Sequence, residues 1–207
     1  VPDFWPDFRW ATKSVKPDCY LLAEIWGDAS AWLQGDMFDA TMGYFFRDLC
    51  VNYFGQDAMT TGDFLDGITR MLAMYAPQVT AVTHNLFSSH DTERFLHMAG
   101  GEARRLRLAT LFQLTIPGAP GIYYGDEIGM TGGFDPDCRR AFPWDRPGTW
   151  DRDTLAMVRV LTRLRKADPA LRYGEWRPVW SNGNAFAFLR EAPTGERVLV
   201  AINRGEA

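Results

Sequence analysis

Cysteine is scarce, and the three that occur, Cys19, Cys50 and Cys138, are odd in number and far apart. That spacing excludes a disulfide framework and a thiolate zinc cluster, and it reads as buried thiols in a reducing, cytoplasmic compartment. No stretch approaches the roughly 18 apolar residues of a membrane span. The opening residues, Val1-Pro2-Asp3-Phe4-Trp5, carry neither the basic nor the apolar segment of a signal peptide. Positive charge is not in excess: 22 Lys and Arg against 26 Asp and Glu leave a net charge of -4, so no global field draws nucleic acid or an anionic membrane. Also missing are an internal repeat, a low-complexity segment, a glycine-rich phosphate loop, a Gly-x-Ser-x-Gly elbow and any His/Cys metal cluster. There is no initiator Met, and a chain opening on Val-Pro reads as an excised or processed piece.

What is present is an ordinary globular composition with an aromatic excess, 14% Phe, Trp and Tyr, which fills cores and also suits the flat faces of sugar rings. The length of 207 residues allows one large domain, or one with a small companion. Apolar spacing predicts helices over Pro2 to Val15, Tyr44 to Phe54, Phe64 to Tyr75 and Glu102 to Leu114, and a last one capped by Asp153 and running to Lys166. Short apolar runs predict strands at Cys19 to Trp26 and Phe38 to Met42, and a further apolar run, Val79 to Phe87, leads into Ser88-Ser89-His90-Asp91. Pro117-Gly118-Ala119-Pro120-Gly121 reads as a break before a strand at Ile122 to Tyr124. Strands alternating with helices imply βα units and a parallel sheet. After Leu171 the pattern changes: Trp176 to Trp180, Ala185 to Leu189 and Val198 to Ile202, separated by Asn-Gly and Pro-Thr-Gly, read as an antiparallel meander, with a domain boundary near Arg172.

In parallel βα architectures the reactive groups stand where loops follow the strands. The first run presents Glu24 among Ala23, Ile25 and Trp26, apolar company that suits a general acid, although a strand-end carboxylate paired with an arginine fits equally. The run before Ser88 presents His90-Asp91, which also fits a turn cap leading into Thr92. Tyr124-Gly125-Asp126-Glu127 reads as scaffold. Two acids from different strands, with aromatics around them, suggest glycoside chemistry: one carboxyl protonates the leaving oxygen and another stabilises positive charge at the anomeric carbon.

The runs LLAEIWGDAS (Leu21 to Ser30), HNLFSSHDTERFL (His84 to Leu96) and PGAPGIYYGDEIGMTGGFDPDCRRAFPWD (Pro117 to Asp145) resemble the α-amylase family of glycoside hydrolases, most closely its neopullulanase, cyclomaltodextrinase and maltogenic amylase branch. The resemblance covers essentially the whole chain. It implies that Glu24 is the acid/base after the fifth barrel strand and Asp91 the transition-state-stabilising acid after the seventh. His90 would hydrogen-bond sugar hydroxyls beside the cleaved bond, Trp26 would line the acceptor side, and Asp135 and Arg139 would hold glucose units on the non-reducing side. Arg94 would support its loop. Ser88 and Glu93 stand where the family commonly has Gly and Pro. No cofactor or metal is called for; calcium occurs in parts of the family, but no site is evident.

The family's nucleophile, an aspartate in an Arg-x-Asp motif after the fourth strand, has no counterpart here, because Asp3 and Asp7 fall on the helix expected to follow it. The expected fold is therefore α/β: residues 1–171 as the C-terminal half of a (β/α)8 TIM barrel, then residues 172–207 as the start of an antiparallel β-sandwich domain. The expected function is a retaining α-glucoside hydrolase of maltodextrins, cyclomaltodextrins or pullulan, with the isolated chain inactive. Its expected partners are an α-glucan oligosaccharide and either the N-terminal half of the barrel or a second copy covering the open strand edge. The alternatives are a non-catalytic amylase-like sugar-binding or interaction module, and a transglycosylase or isomerase using the same carboxylates.

Overall fold

The structure, a computed structural model, describes residues 4–205. The first element, α1 (Phe4–Val15), places Arg9 and Lys13 one turn apart, and both reach the Asp39 carboxylate at 2.8 Å. Asp39 also accepts the Leu21 N–H at 2.8 Å, and Lys13 donates to Cys19 O. The predicted Cys19 to Trp26 strand therefore shrinks: its first residues bond to side chains, and only β1 (Leu22–Ala23) pairs, in parallel, with β2 (Ala40–Thr41).

After β2 the chain turns into α2 (Tyr44–Cys50), which widens into a π-turn over Val51–Gly55, with Gln56 N–H donating to Val51 O. Then come α3 (Thr61–Leu72), capped by the Thr60 hydroxyl, and α4 (Pro77–Thr80). β3 (His84–Leu86) is followed by α5 (Phe95–Met98) and α6 (Ala103–Thr115), and β4 (Ala119–Gly121) pairs with β3 in parallel. A parallel bridge between Met42 and His84, with Gly43 N–H on His84 O at 2.8 Å, joins the two pairs, so four parallel segments lie side by side in chain order.

β4 corrects the predicted strand at Ile122 to Tyr124: the pairing falls on the Pro-Gly-rich segment read as a break. Ala119 N–H donates to Thr83 O at 2.8 Å, so the nitrogen of Pro120 points away from β3 and no ladder bond is lost. Gly121 is needed because a Cβ there would overlap the His84 ring. Behind the pair, the Gln113 side chain of α6 donates to Asn85 O (3.0 Å) and Gly121 O (2.9 Å), clamping β3 to β4.

The long segment after β4 leads to α7 (Arg152–Ala167) and α8 (Pro169–Tyr173). The α7 cap is Asp151 rather than Asp153. Its carboxylate accepts the N–H groups of Asp153 and Thr154 at 3.1 and 3.0 Å, so Asp153 lies inside the first turn. The chain ends in an antiparallel sheet of β5 (Glu175–Asn182), β6 (Ala185–Glu191) and β7 (Arg197–Asn203), in the order β5-β6-β7. Gly183, with φ 55° at the first central position of the β5–β6 turn, supplies the conformation that such a two-residue hairpin requires.

One aromatic core unites these parts. Phe112 of α6 meets Phe64 of α3 at 5.1 Å, Phe46 of α2 at 6.1 Å, and Phe186 and Phe188 of β6 at 6.0 and 5.8 Å between ring centroids. Two arginines finish the junction. Arg165 donates to Leu114 O and Ile116 O at 3.0 and 2.9 Å, while the fully buried Arg190 donates to Thr115 O and to Gly174 O. Both cations thus sit on the carbonyls at the C-terminal end of α6, where the helix dipole is negative. Among the described residues no helix is long and apolar enough to cross a membrane.

Candidate active site

Glu24 leaves the sheet directly after β1, and His90 and Asp91 leave it in the loop after β3. Parallel strands point the same way, so the three side chains meet on one rim. His90 Nε2 lies 3.2 Å from Asp91 Oδ2 and 4.0 Å from Glu24 Oε1. One ligating atom of each residue falls within 4.8 Å of the other two, and all three are exposed. Asp7 lies on the exposed side of α1, and Asp3 falls outside the described residues.

The loop after β3 forms its own turn. Ser89 N–H donates to Thr92 Oγ1 at 2.9 Å, and Asp91 N–H to Ser89 Oγ at 3.2 Å. Because Ser89 and Thr92 do the capping, the His90 and Asp91 side chains are free to project. Asp91 Oδ1 accepts from Arg139 Nη2 at 3.0 Å, and Arg139 Nε donates to His90 O at 2.7 Å and lies 3.0 Å from Asp135. Asp135 and Arg139 therefore belong beside Asp91, in the same constellation.

On the other side, Tyr44 Oη donates to Glu24 Oε1 at 3.2 Å, and the Tyr44 ring stacks on Trp26 at 3.9 Å and 8°. Burial, with the negative charge of Glu24 nearby, pushes the Tyr44 hydroxyl up to about 12, so at neutral pH it remains a donor. Tyr44 escaped the sequence reading because it looked like the first residue of an amphipathic helix. Its place three residues past the end of β2 was the available signal. Trp26 is half-exposed and, with Tyr44, makes an aromatic platform beside the acid.

Glu24, His90 and Asp91 are also the one compact trio of metal-ligating types among the described residues. The donors around them favour another use, since a guanidinium 3.0 Å from Asp91 opposes a second cation there. Two carboxyl groups on one rim, one beside a hydroxyl and one beside a guanidinium, with an imidazole between them and an aromatic face, are what acid-assisted departure of a sugar leaving group needs.

The sequence model described as "Alpha amylase, catalytic domain" matches residues 1–188. The chain is 43% identical over 202 residues to a cyclomaltodextrinase of Geobacillus thermopakistaniensis, an alignment that takes in 97% of this chain and 34% of that protein. It is 42% identical over 205 residues to neopullulanase 2 of Thermoactinomyces vulgaris, covering 98% of this chain and 35% of that one. Among solved structures, the cyclic α-maltosyl-(1→6)-maltose hydrolase of Arthrobacter globiformis, in complex with that cyclic sugar, superposes with a TM-score of 0.94 at 34% identity, covering 100% of this chain and 46% of that chain. The chain thus spans about a third of the length of the curated relatives it matches.

Proposed function

Because this chain belongs to the α-amylase family of glycoside hydrolases, we propose that it supplies the acid/base and the transition-state-stabilising carboxylate of a retaining α-glucoside hydrolase acting on maltodextrins, cyclomaltodextrins or pullulan. The carrying observation is the convergence of Glu24, His90 and Asp91 within 4.8 Å on one rim. Glu24 protonates the departing glycosidic oxygen and then, as carboxylate, takes a proton from the water that completes the reaction. Asp91, paired with Arg139 at 3.0 Å, stabilises the oxocarbenium-like transition state. His90 hydrogen-bonds the sugar at the cleaved bond, Trp26 lines the acceptor side, and Asp135 and Arg139 serve the non-reducing side. No cofactor enters a step.

Residues 1–171 form the C-terminal half of the (β/α)8 barrel and residues 172–207 begin an all-β domain of sandwich type. The four parallel segments in chain order and the antiparallel β5-β6-β7 sheet support that division. The attacking aspartate comes from the N-terminal half of the barrel. A cavity of about 690 Å³ along β1, walled by Trp5, Phe8, Tyr20, Ile25 and Trp32, is the face such a partner, or failing it a second copy, would cover. The three free thiols support a cytoplasmic setting.

Release of reducing ends from cyclomaltodextrin tests this reading. The 207-residue chain alone should release none, and a polypeptide extended through an upstream Arg-x-Asp motif should be active and should lose activity on Glu24→Gln. One observation favours a second reading: a carboxylate oxygen of Glu24 lies within 4.8 Å of one of Asp91, inside the roughly 5 Å reach of a retaining pair. Hydrolysis by the 207 residues alone, abolished by Asp91→Asn, would make Asp91 the nucleophile and overturn the assignment above.

A further inference from the structure

Arg94 is a full cation with no exposed surface, outside the groups that face the rim. Burying a guanidinium is costly unless its donors are met; Nη2 has no hydrogen-bond partner, so the bonds of Nη1 and Nε show what Arg94 holds. Its backbone N–H donates to Gly132 O at 2.9 Å. Nη1 reaches Asp126 Oδ1 at 2.9 Å and Tyr124 O at 2.7 Å, Nε reaches Cys138 O at 3.1 Å, and the planar group lies 4.5 and 4.8 Å from the Tyr123 and Tyr124 ring centroids. The Ser88 hydroxyl, which accepts the Phe95 N–H at 3.0 Å, also binds Asp126. One side chain therefore ties the loop after β3, the segment after β4 and the 132–139 loop together.

The tie continues to the rim. The carbonyl of Cys138 is held by Arg94, while its thiol donates to His90 O at 3.3 Å. The next residue, Arg139, donates to the same carbonyl oxygen and to Asp91. We propose that Arg94 is a positioning residue for the candidate active site: by fixing Cys138 it sets where Arg139 stands, and through Arg139 the place of His90 and Asp91. The path has two steps, Arg94 to the Cys138 carbonyl and the Cys138–Arg139 peptide to the rim. A lysine at 94 keeps the charge beside Asp126 but cannot present the fork that spans Tyr124 O and Cys138 O at once.

The inference takes its catalytic meaning from the function proposed above, but its geometry is testable in the 207-residue chain without any turnover. In Arg94→Lys, alkylation of the Cys138 thiol should accelerate about tenfold or more, as the loop opens locally, while Cys50 in the aromatic core stays protected. The His90 ring resonances should shift in the same variant. Arg139→Lys, which cuts the path further along, should shift the His90 resonances and leave Cys138 protected. In the polypeptide that hydrolyses cyclomaltodextrin, Arg94→Lys should lower kcat by a factor on the order of 10–100 with a smaller change in KM. Unchanged His90 resonances in a folded Arg94→Lys protein would overturn the proposal, as would Cys138 and Cys50 opening together, which marks a purely structural arginine. Asp126→Asn repeats the thiol measurement should Arg94→Lys fail to fold. Absence of hydrolysis in the unsubstituted protein would instead count against the proposed function and leave the thiol and resonance results to judge Arg94.

Discussion

Glu24 follows a two-residue strand and is held by one neutral hydroxyl, Tyr44 at 3.2 Å, whereas Asp91 is held by Arg139 at 3.0 Å and His90 at 3.2 Å, with a buried arginine behind their loop. The difference follows the work each carboxyl has in the proposed reaction. A group that must give up a proton and take one back is best held by a donor that adds no charge. A group that stays ionised while positive charge develops is best fixed by cations and by a rigid support.

The most severe test of that contrast is the pair Glu24→Gln and Asp91→Asn in the hydrolysing polypeptide. Each should lower kcat/KM on maltodextrins by about a thousandfold or more. Glu24→Gln should lose far less on an aryl glucoside whose leaving group needs no proton, while Asp91→Asn should lose the same on both; equal losses for Glu24→Gln would end the acid assignment. Next in size is Arg139→Ala, which leaves Asp91 without its cation and should cost on the order of 100-fold in kcat/KM. Tyr44→Phe removes one hydrogen bond from an uncharged donor, about 1.5 kcal/mol, and should cost roughly tenfold. A Tyr44→Phe loss exceeding that of Arg139→Ala would reverse the contrast.

The smallest effect is one of pH on stability. Burial disfavours the Asp39 charge, but the bonds from Lys13, Leu21 N–H and Arg9 outweigh it and hold the carboxyl below its ordinary value. Its contribution is therefore present above the unfolded value and lost as pH falls through the lower folded one. Asp126 has the opposite sign: burial outweighs Ser88 and Arg94 and raises it to about 6, so it pairs as a carboxylate with Arg94 at neutral pH, and below about pH 6 the folded state takes up that proton ahead of the unfolded one and acid takes no stability from it. Hydrogen exchange followed from about pH 7 down to about pH 3 should show α1 loosening before the segment around Asp126. Loosening in the reverse order would show that Asp39 does not secure the β1 side.

The sequence made the helices and the rim acids legible for different reasons. α3 and α7 carry a 3.6-residue apolar repeat, Glu24 is the one acid that interrupts a short apolar run, and His90 and Asp91 stand just past another. The strands were legible only in outline. β1 and β2 are two residues long, and β4 was misplaced because a proline in a parallel strand is acceptable only when its nitrogen faces away from the neighbour, which depends on register. Tyr44 and the Arg94–Asp126 pair were hidden as chemistry for a related reason: both join segments far apart in the chain, and spacing carries no trace of such contacts.

Arg190 projects from the meander into the C-terminal end of α6, and neither it nor Arg165 has a carboxylate partner among the described residues. The helix thus draws one of its end caps from the part of the chain that looks most separable. A shuffled or grafted β module at this junction would strip Thr115 O and Gly174 O of their donor, even if every apolar contact were reproduced. Modularity in the pattern of the chain therefore does not extend to exchangeability: a replacement sheet must carry a cation at the place of Arg190, facing inward.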